Sequence, residues 1–119
     1  MKIREIRDLL GAEVLACEEN LENDVISACC SDMMSDVLAY VKDQGVLITG
    51  LINPQVIRTA NMMDMLCVVF VRSKTPTDEM LELAGECGIV VMKSDKRAFE
   101  ASGILYSNGF APKTEDGNV

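Results

Sequence analysis

The sequence predicts an α/β domain with a largely parallel sheet and helices on both faces of that sheet. The first observation is the order strand, helix, strand, helix, strand, helix that begins at Val46, because this order implies right-handed crossovers between parallel strands. The second is composition: 49% of the 119 residues are hydrophobic but only 4% are aromatic, which favours a close-packed aliphatic core. A chain of this length supports a single domain.

The N-terminal segment is predicted to form one helix and two extended stretches. Lys2–Leu10 has apolar residues at helical spacing and is followed by Gly11, a residue type that commonly ends helices. Glu13–Cys17 is predicted to be a short strand, and Val25–Cys30 a second extended run. The acidic stretch between them, 18–23, indicates a solvated loop. Catalytic carboxylates are the less favoured interpretation, because no basic or nucleophilic residue accompanies them.

A second helix is predicted to begin at Ser31 and Asp32. Its apolar stripe consists of Met33, Val37, Leu38 and Val41. Core contact and contact with a partner helix would both explain this stripe, and core packing is the usual meaning of an amphipathic helix. The successive residues Met33 and Met34 add some weight to an interface, since unbranched thioethers suit adaptable contacts.

The central unit is Gly45–Ala60, with the sequence GVLITGLINPQVIRTA. Its apolar run at 46–48 is typical of a strand covered on both faces, and Gly50 allows a sharp turn. Asn53 is a good N-cap, and Pro54 suits the first helical position. The helix N-terminus therefore points toward the carboxyl end of a central strand, where anions can bind. An ordinary turn that binds nothing is the alternative.

The remaining chain is predicted to repeat the strand-to-helix plan twice. Met65–Val71 is a continuous apolar strand, followed by a helix whose capped start is assigned to Thr75, Pro76 and Asp78. Ile89–Met92 is another buried strand, and Ser94 is predicted to cap a helix at Asp95–Ser102 with Ala98 and Phe99 facing inward. The segment 111–119 is polar and loses periodicity, so we expect a disordered tail.

Basic residues follow the ends of the predicted parallel strands in an otherwise acidic chain. They are Arg58, Arg72, Lys74, Lys93, Lys96 and Arg97. Because the carboxyl ends of parallel strands share one edge of a sheet, these side chains could hold a phosphate or carboxylate without a metal. Solvated surface charges are an equally good interpretation. The candidate ligand-binding residues at this edge are Gly50, Leu51, Ile52, Asn53, Arg72, Ser73 and Lys74.

Charge and hydropathy exclude several classes of partner. The formal net charge of −8 and the pI of about 4.4 repel nucleic acid and anionic membrane surfaces. No segment approaches the roughly 20 apolar residues that span a bilayer. The charged start MKIREIRDLLGAE lacks the uninterrupted apolar region of a signal peptide, so we expect a cytoplasmic protein.

The cysteine pattern predicts neither disulfides nor a metal site. The five cysteines, Cys17, Cys29, Cys30, Cys67 and Cys87, are odd in number and contain no C-x-x-C spacing. Adjacent Cys29 and Cys30 would point to opposite faces of an extended segment. The chain has no histidine, so neither a metal nor any other cofactor is expected. Buried packing is the favoured role for all five thiols.

The segments KIREIRDLLGAEVL and CCSDMMSDVLAYVKDQGVLITG resemble a stand-alone DRTGG domain, the module similar to the N-terminal domain of HPr kinase/phosphorylase. The resemblance covers residues 1–110 as one domain and implies a three-layer α/β/α sandwich. Where many members carry Gly-Asp-Arg, this chain has Gly50, Leu51 and Ile52. Where they carry Thr-Gly-Gly, it has approximately Val71, Arg72 and Ser73.

The resemblance also implies a regulatory or interaction role, since DRTGG domains accompany CBS domains in regulated pyrophosphatases. It does not bring kinase activity, because the P-loop pattern G-x-x-x-x-G-K-[ST] is missing. The favoured hypothesis is a non-catalytic module that forms a homodimer and docks on a partner enzyme. The alternative is a sensor of a nucleotide or phosphorylated metabolite at the strand edge. A small enzyme is least favoured, because a general base and an activated nucleophile are missing.

Overall fold

The computed structural model describes residues 1–40 and 44–111, which form one five-stranded sheet with helices on both faces. The strands are β1 (Glu13–Ala16), β2 (Ser27–Cys30), β3 (Gly45–Thr49), β4 (Cys67–Phe70) and β5 (Val90–Lys93). Their order across the sheet is β1-β5-β4-β3-β2. β2, β3, β4 and β5 run parallel, and β1 pairs antiparallel with β5 at one edge. The predicted largely parallel sheet is confirmed.

In the described residues, five α-helices cover the sheet: α1 (Ile3–Leu10), α2 (Met34–Tyr40), α3 (Pro54–Met62), α4 (Asp78–Cys87) and α5 (Ala98–Leu105). A 3-10 turn at Glu18–Asn20 follows β1, and a π-helical turn at Tyr106–Phe110 follows α5. Buried residues of α1 and α5 pack on one face of the sheet, and those of α2, α3 and α4 pack on the other. This is the three-layer α/β/α architecture that the sequence resemblance implied.

β3, an interior strand of the sheet, is buried along its whole length. Val46 and Ile48 face the layer of α1 and α5, and Leu47 faces the layer of α3 and α4. This alternation explains why the strand carries a continuous apolar run, because both of its faces lie in a core. Burial of these aliphatic side chains fixes the position of the turn that follows at Gly50.

Local end signals placed the end of α1 and the start of α3 correctly. Gly11 ends α1 in the left-handed conformation with φ 58°, and Gly88 ends α4 with φ 73°. The Asn53 side chain accepts a hydrogen bond from the Gln55 N–H at 2.8 Å, and Pro54 is the first residue of α3. The start of α4 lies later than expected, because its N-cap is Thr77, whose hydroxyl accepts from the Met80 N–H at 3.2 Å.

The predicted start of the second helix was wrong, since α2 begins at Met34. Its apolar stripe was only partly a core face. Val37 is fully buried, whereas Met33 is 62% exposed and Leu38 is 42% exposed. The fourth stripe residue, Val41, lies outside the described residues. The interpretation of this stripe as core therefore holds for Val37 and fails for Met33 and Leu38.

The predicted cap of the last helix was also wrong. α5 begins at Ala98, three residues later than expected, with Arg97 in the cap position. Ser94 is buried, and its hydroxyl donates to the Leu10 carbonyl at 2.8 Å, so it ties the end of β5 to α1. Phe99 was expected to face inward but is 92% exposed. The buried residues of α5 are Ala101 and Leu105.

The cysteines differ in burial more than expected. Cys67 is buried, and this burial raises the pKa of its thiol. Three others are half-buried, and Cys30 is exposed, so the prediction of buried packing for all five was wrong for Cys30. Cys29 and Cys30 do lie on opposite faces of β2, as the extended segment predicted. The expected disordered tail, apart from Ala111, lies outside the described residues.

Candidate functional site at the carboxyl edge of the sheet

The carboxyl ends of β3, β4 and β5 lie side by side. Thr49 pairs with Phe70, and Phe70 pairs with Lys93, so the residues that follow these three positions meet at one edge. We define the carboxyl edge by five residues: Asp32, Thr49, Gly50, Arg72 and Lys74. Three of them, Gly50, Arg72 and Lys74, are candidates that the sequence predicted.

The Arg72 side chain folds back over Gly50. A Cβ atom at Gly50 would lie 2.6 Å from the Arg72 Nη2 atom, closer than side-chain carbons approach other atoms. Glycine at position 50 therefore allows the guanidinium to approach the end of β3. The prediction that a basic side chain from β4 reaches the turn after β3 agrees with this geometry.

The turn after β4 has an unusual backbone. Arg72 and Ser73 have φ values of 57° and 55°, in the left-handed region that glycine adopts most readily. Their N–H groups donate to the Lys96 and Ser94 carbonyls at 2.8 and 2.9 Å. These two bonds fix the turn against the loop after β5 and thereby position Arg72.

Asp32, which was predicted to begin a helix, occupies the edge. Its Oδ1 atom accepts hydrogen bonds from the Thr49 hydroxyl at 2.9 Å and from the Gly50 N–H at 2.8 Å. The Gly50 hydrogen bond, then the Thr49 bond and the charges of Arg72 and Lys74, lower the pKa of Asp32 against an opposing effect of burial. The ionised carboxylate is therefore favoured. The signal in the sequence was a Ser-Asp pair directly after β2, at the same edge as the other parallel strand ends.

The other predicted ligand residues have structural roles or face solvent. Leu51 and Ile52 are half-buried and pack against the core on the α3 and α4 face. The Leu51 N–H donates to the Thr49 hydroxyl at 3.2 Å. The Asn53 side chain is directed at its own helix, and Ser73 is exposed. Leu51, Ile52 and Asn53 therefore support the fold, and the basic side chains of the edge are the groups suited to bind an anion.

The predicted basic cluster is only partly assembled. Lys93 reaches across the edge and donates to the Thr75 hydroxyl at 3.1 Å. Arg58 does not join the edge: it lies 3.9 Å from a carboxylate oxygen of Glu79 and lines a surface groove with α4 acids. Within the described ranges, no group of three or more residues is arranged to hold a metal ion.

A cavity and several exposed apolar side chains lie outside the five residues of the carboxyl edge. A cavity of about 160 Å³ lies beside β2 and is lined by Ala28, Cys29, Cys30, Ile48, Ser102, Leu105, Tyr106 and Phe110. The large exposed apolar side chains in the described part of the chain are Ile26, Met33, Leu38, Met62, Phe99 and Tyr106. No helix of the described residues is long and apolar enough to cross a bilayer.

Comparison with known proteins gives a family and a fold. The DRTGG domain family matches residues 5–107. The solved CBS and DRTGG domains of the regulatory region of a Clostridium perfringens pyrophosphatase, in complex with the activator diadenosine tetraphosphate, superpose with a TM-score of 0.70 at 19% sequence identity. The match covers 87% of this chain and 45% of that one, so this chain corresponds to less than half of the regulatory region. No curated protein sequence matches the chain.

Proposed function

The chain belongs to the DRTGG domain family, and on that premise we propose that it binds a nucleotide or another small phosphorylated metabolite at the carboxyl edge. The observation that carries the proposal is the set of groups that surround the Asp32 carboxylate. Its carboxylate is held by the Gly50 N–H and the Thr49 hydroxyl, beside Arg72. The edge therefore has donors and positive charge arranged around an anion, which is the arrangement that phosphate requires.

The similar pyrophosphatase region supports this choice of ligand class. That protein was solved with an activator that carries phosphate groups, and the fold is shared with this chain. Arg72 and Lys74 supply two exposed positive charges on one turn. In a chain of net charge −8, phosphate is attracted only where such charges are grouped, so the proposed ligand is small and bound locally.

The proposal includes a regulatory role without catalysis, in the cytoplasm, for a domain that spans residues 1–110. The chain has no histidine, so the most common general base is missing. Four of the five cysteines are at least partly accessible as free thiols, which suits a reducing compartment. The family is known for regulation, so the bound ligand would act through a partner enzyme rather than react.

The test is binding of inorganic phosphate, ATP and diadenosine tetraphosphate, measured by calorimetry. We expect Arg72→Ala to weaken binding roughly tenfold or more, because a hydrogen bond to a charged group contributes about 1.5–3 kcal/mol. Its melting temperature should stay almost unchanged, since Arg72 is exposed. Arg58→Ala is the matched control, because it removes the same charge from an exposed site outside the edge. Equal binding by both variants, or no binding by the wild type, would contradict the proposal.

A second candidate function is self-association as a homodimer and docking on a partner enzyme. Its support is the set of exposed apolar side chains, of which Phe99 is 92% and Ile26 65% exposed. Sedimentation at micromolar concentration tests it: we expect a dimer, and Phe99→Asp or Ile26→Asp should shift it to monomer if either residue lies in the interface. A monomer throughout the concentration range would eliminate self-association.

A further inference from the structure

We propose that Asp32 is an internal anion that a bound phosphate displaces, and that this displacement loosens α2. The inference rests on the proposed ligand site at the carboxyl edge and adds how occupancy of that site would be transmitted. A single oxygen of Asp32 accepts both the Thr49 hydroxyl and the Gly50 N–H, at 2.9 and 2.8 Å. These two donors lie at the end of β3, where a phosphate of the ligand would also bind.

The carboxylate and a phosphate compete for the same place. Arg72 lies directly over Gly50, so an anion bound by its guanidinium comes against the Asp32 carboxylate. A bound phosphate and the Asp32 carboxylate would lie side by side and repel each other, and the single Gly50 N–H cannot donate to both. A doubly charged phosphate has more acceptor oxygens than the carboxylate and engages Arg72 and Lys74 more strongly. The ligand therefore replaces Asp32 rather than adding to it.

Displacement of Asp32 would affect α2, which begins two residues later at Met34. The joint between β2 and α2 is held by the Asp32 bonds, by the Met33 N–H, which donates to the Ser31 hydroxyl at 3.0 Å, and by the Ser31 N–H, which donates to the Ile48 carbonyl at 3.1 Å. Of these, the Asp32 bonds are the ones that a ligand at the carboxyl edge would break.

Within the part of α2 whose side chains are described, Val37 alone is fully buried. Met34 adds a half-buried contact with the core on the α3 and α4 face. With so few buried side chains among those described, α2 depends in part on its joint, so loss of the Asp32 bonds makes its local opening easier.

The consequence is a link between the ligand and an apolar surface. Met33 and Leu38 are 62% and 42% exposed, on the joint and on α2. When α2 loosens, these side chains change position relative to the sheet. A partner that contacts them would then distinguish the ligand-bound domain from the free one, which is the property that a regulatory domain needs.

The experiment is hydrogen exchange over residues 31–40 by mass spectrometry, with and without saturating ATP, together with ATP titrations. The proteins are the wild type, Asp32→Asn, Asp36→Asn and Arg72→Ala. Asp36 is the matched control, because it is an exposed carboxylate on α2 whose replacement changes the charge equally.

We expect ATP to accelerate exchange in the wild type and in Asp36→Asn. Asp32→Asn keeps an acceptor oxygen but loses the negative charge, which weakens its bonds to Thr49 and Gly50. It should therefore exchange faster than the wild type without ATP, respond less to ATP, and bind ATP roughly tenfold more tightly.

Three results would overturn the displacement. Equal gains in affinity for Asp32→Asn and Asp36→Asn would mean that only net charge matters. Weaker binding by Asp32→Asn would make Asp32 a ligand contact. Wild-type binding of ATP without faster exchange over 31–40 would refute the coupling, and this readout needs no variant. In all three cases, loss of ATP binding by Arg72→Ala would still support a ligand site at the carboxyl edge. If neither phosphate nor ATP binds the wild type or Asp32→Asn, the ligand site and the displacement both fail.

Discussion

Substitution of Ser73 by glycine should stabilise the domain, although glycine destabilises most positions. Ser73 is exposed and has a φ value of 55°, in the left-handed region. Its N–H donates to the Ser94 carbonyl at 2.9 Å, a bond that glycine would retain. The variant therefore removes a strained Cβ atom and leaves the hydrogen bonding of the turn in place.

The expected gain follows from two opposing contributions. The left-handed conformation costs a residue with a Cβ atom roughly 1–2 kcal/mol. Glycine loses more backbone freedom on folding, which offsets about 0.5–1 kcal/mol of that gain. The net increase in the free energy of unfolding is about 0.5–1 kcal/mol, and in a chain of this size about 1 kcal/mol corresponds to roughly 4 °C in melting temperature. We expect Ser73→Gly to melt about 2–4 °C higher than the wild type.

Urea unfolding and calorimetry measure this change, and two variants control for its cause. Ser73→Ala keeps the Cβ atom and the strain, so its stability should match that of the wild type. Ser35→Gly places the same substitution on the exposed side of α2, where helical geometry makes glycine unfavourable by about 0.5 kcal/mol. The two glycine variants should therefore shift stability in opposite directions. Destabilisation by Ser73→Gly of the size seen in Ser35→Gly would refute the strain argument.

Three further predictions concern single hydrogen bonds. Asn53→Ala should lower the free energy of unfolding by about 1 kcal/mol through loss of the α3 cap, as urea unfolding would show, whereas Asn53→Asp should retain most of it. Ser94→Ala should cost about 1–3 kcal/mol in the same assay, because it leaves the Leu10 carbonyl without its donor in a buried site. The lowered pKa of Asp32 means that its contribution is present at neutral pH and is lost as pH falls below about 4. Asp32→Asn should reduce the loss of the free energy of unfolding in this acidic range. An unchanged dependence of that free energy on pH would contradict the prediction.

Sequence reasoning located the features whose causes are local. Gly11 ends a helix, and Asn53 with Pro54 begins one, because each effect depends on residues within one turn. The same reasoning failed at Asp32 and Ser94. Both polar residues follow a strand and precede a helix, so both resembled N-caps.

Their actual partners are distant in sequence. Asp32 bonds Thr49 and Gly50, and Ser94 bonds Leu10, which is 84 residues away. A strand end in a parallel sheet is close to other strand ends and to the covering helix, so a polar side chain there can satisfy long-range groups instead of its own helix. Spacing within one segment does not distinguish these possibilities. This is also why the carboxyl edge was predicted with Arg72 but without Asp32.

The backbone of the turn after β4 suits the glycines of the DRTGG pattern better than the residues that this chain has there. The chain resembles members that carry Thr-Gly-Gly at approximately 71–73, and its own Arg72 and Ser73 adopt the left-handed conformation that suits glycine. In this chain the turn is therefore formed by residues that are strained in it. Members that carry Gly-Asp-Arg have an arginine directly after the central strand, where this chain has only Leu51 and Ile52.

Arg72 brings a guanidinium to the end of β3 from the turn after β4, since its Nη2 atom lies against Gly50. A carboxylate lies at the same place, because Asp32, which follows β2, accepts a hydrogen bond from the Gly50 N–H. Asp32 and Arg72 therefore meet at the end of β3, although neither belongs to the segment that follows this strand. The left-handed backbone at residue 72 costs a side chain with a Cβ atom stability, so the charge of Arg72, rather than its backbone preference, is what suits it to this place.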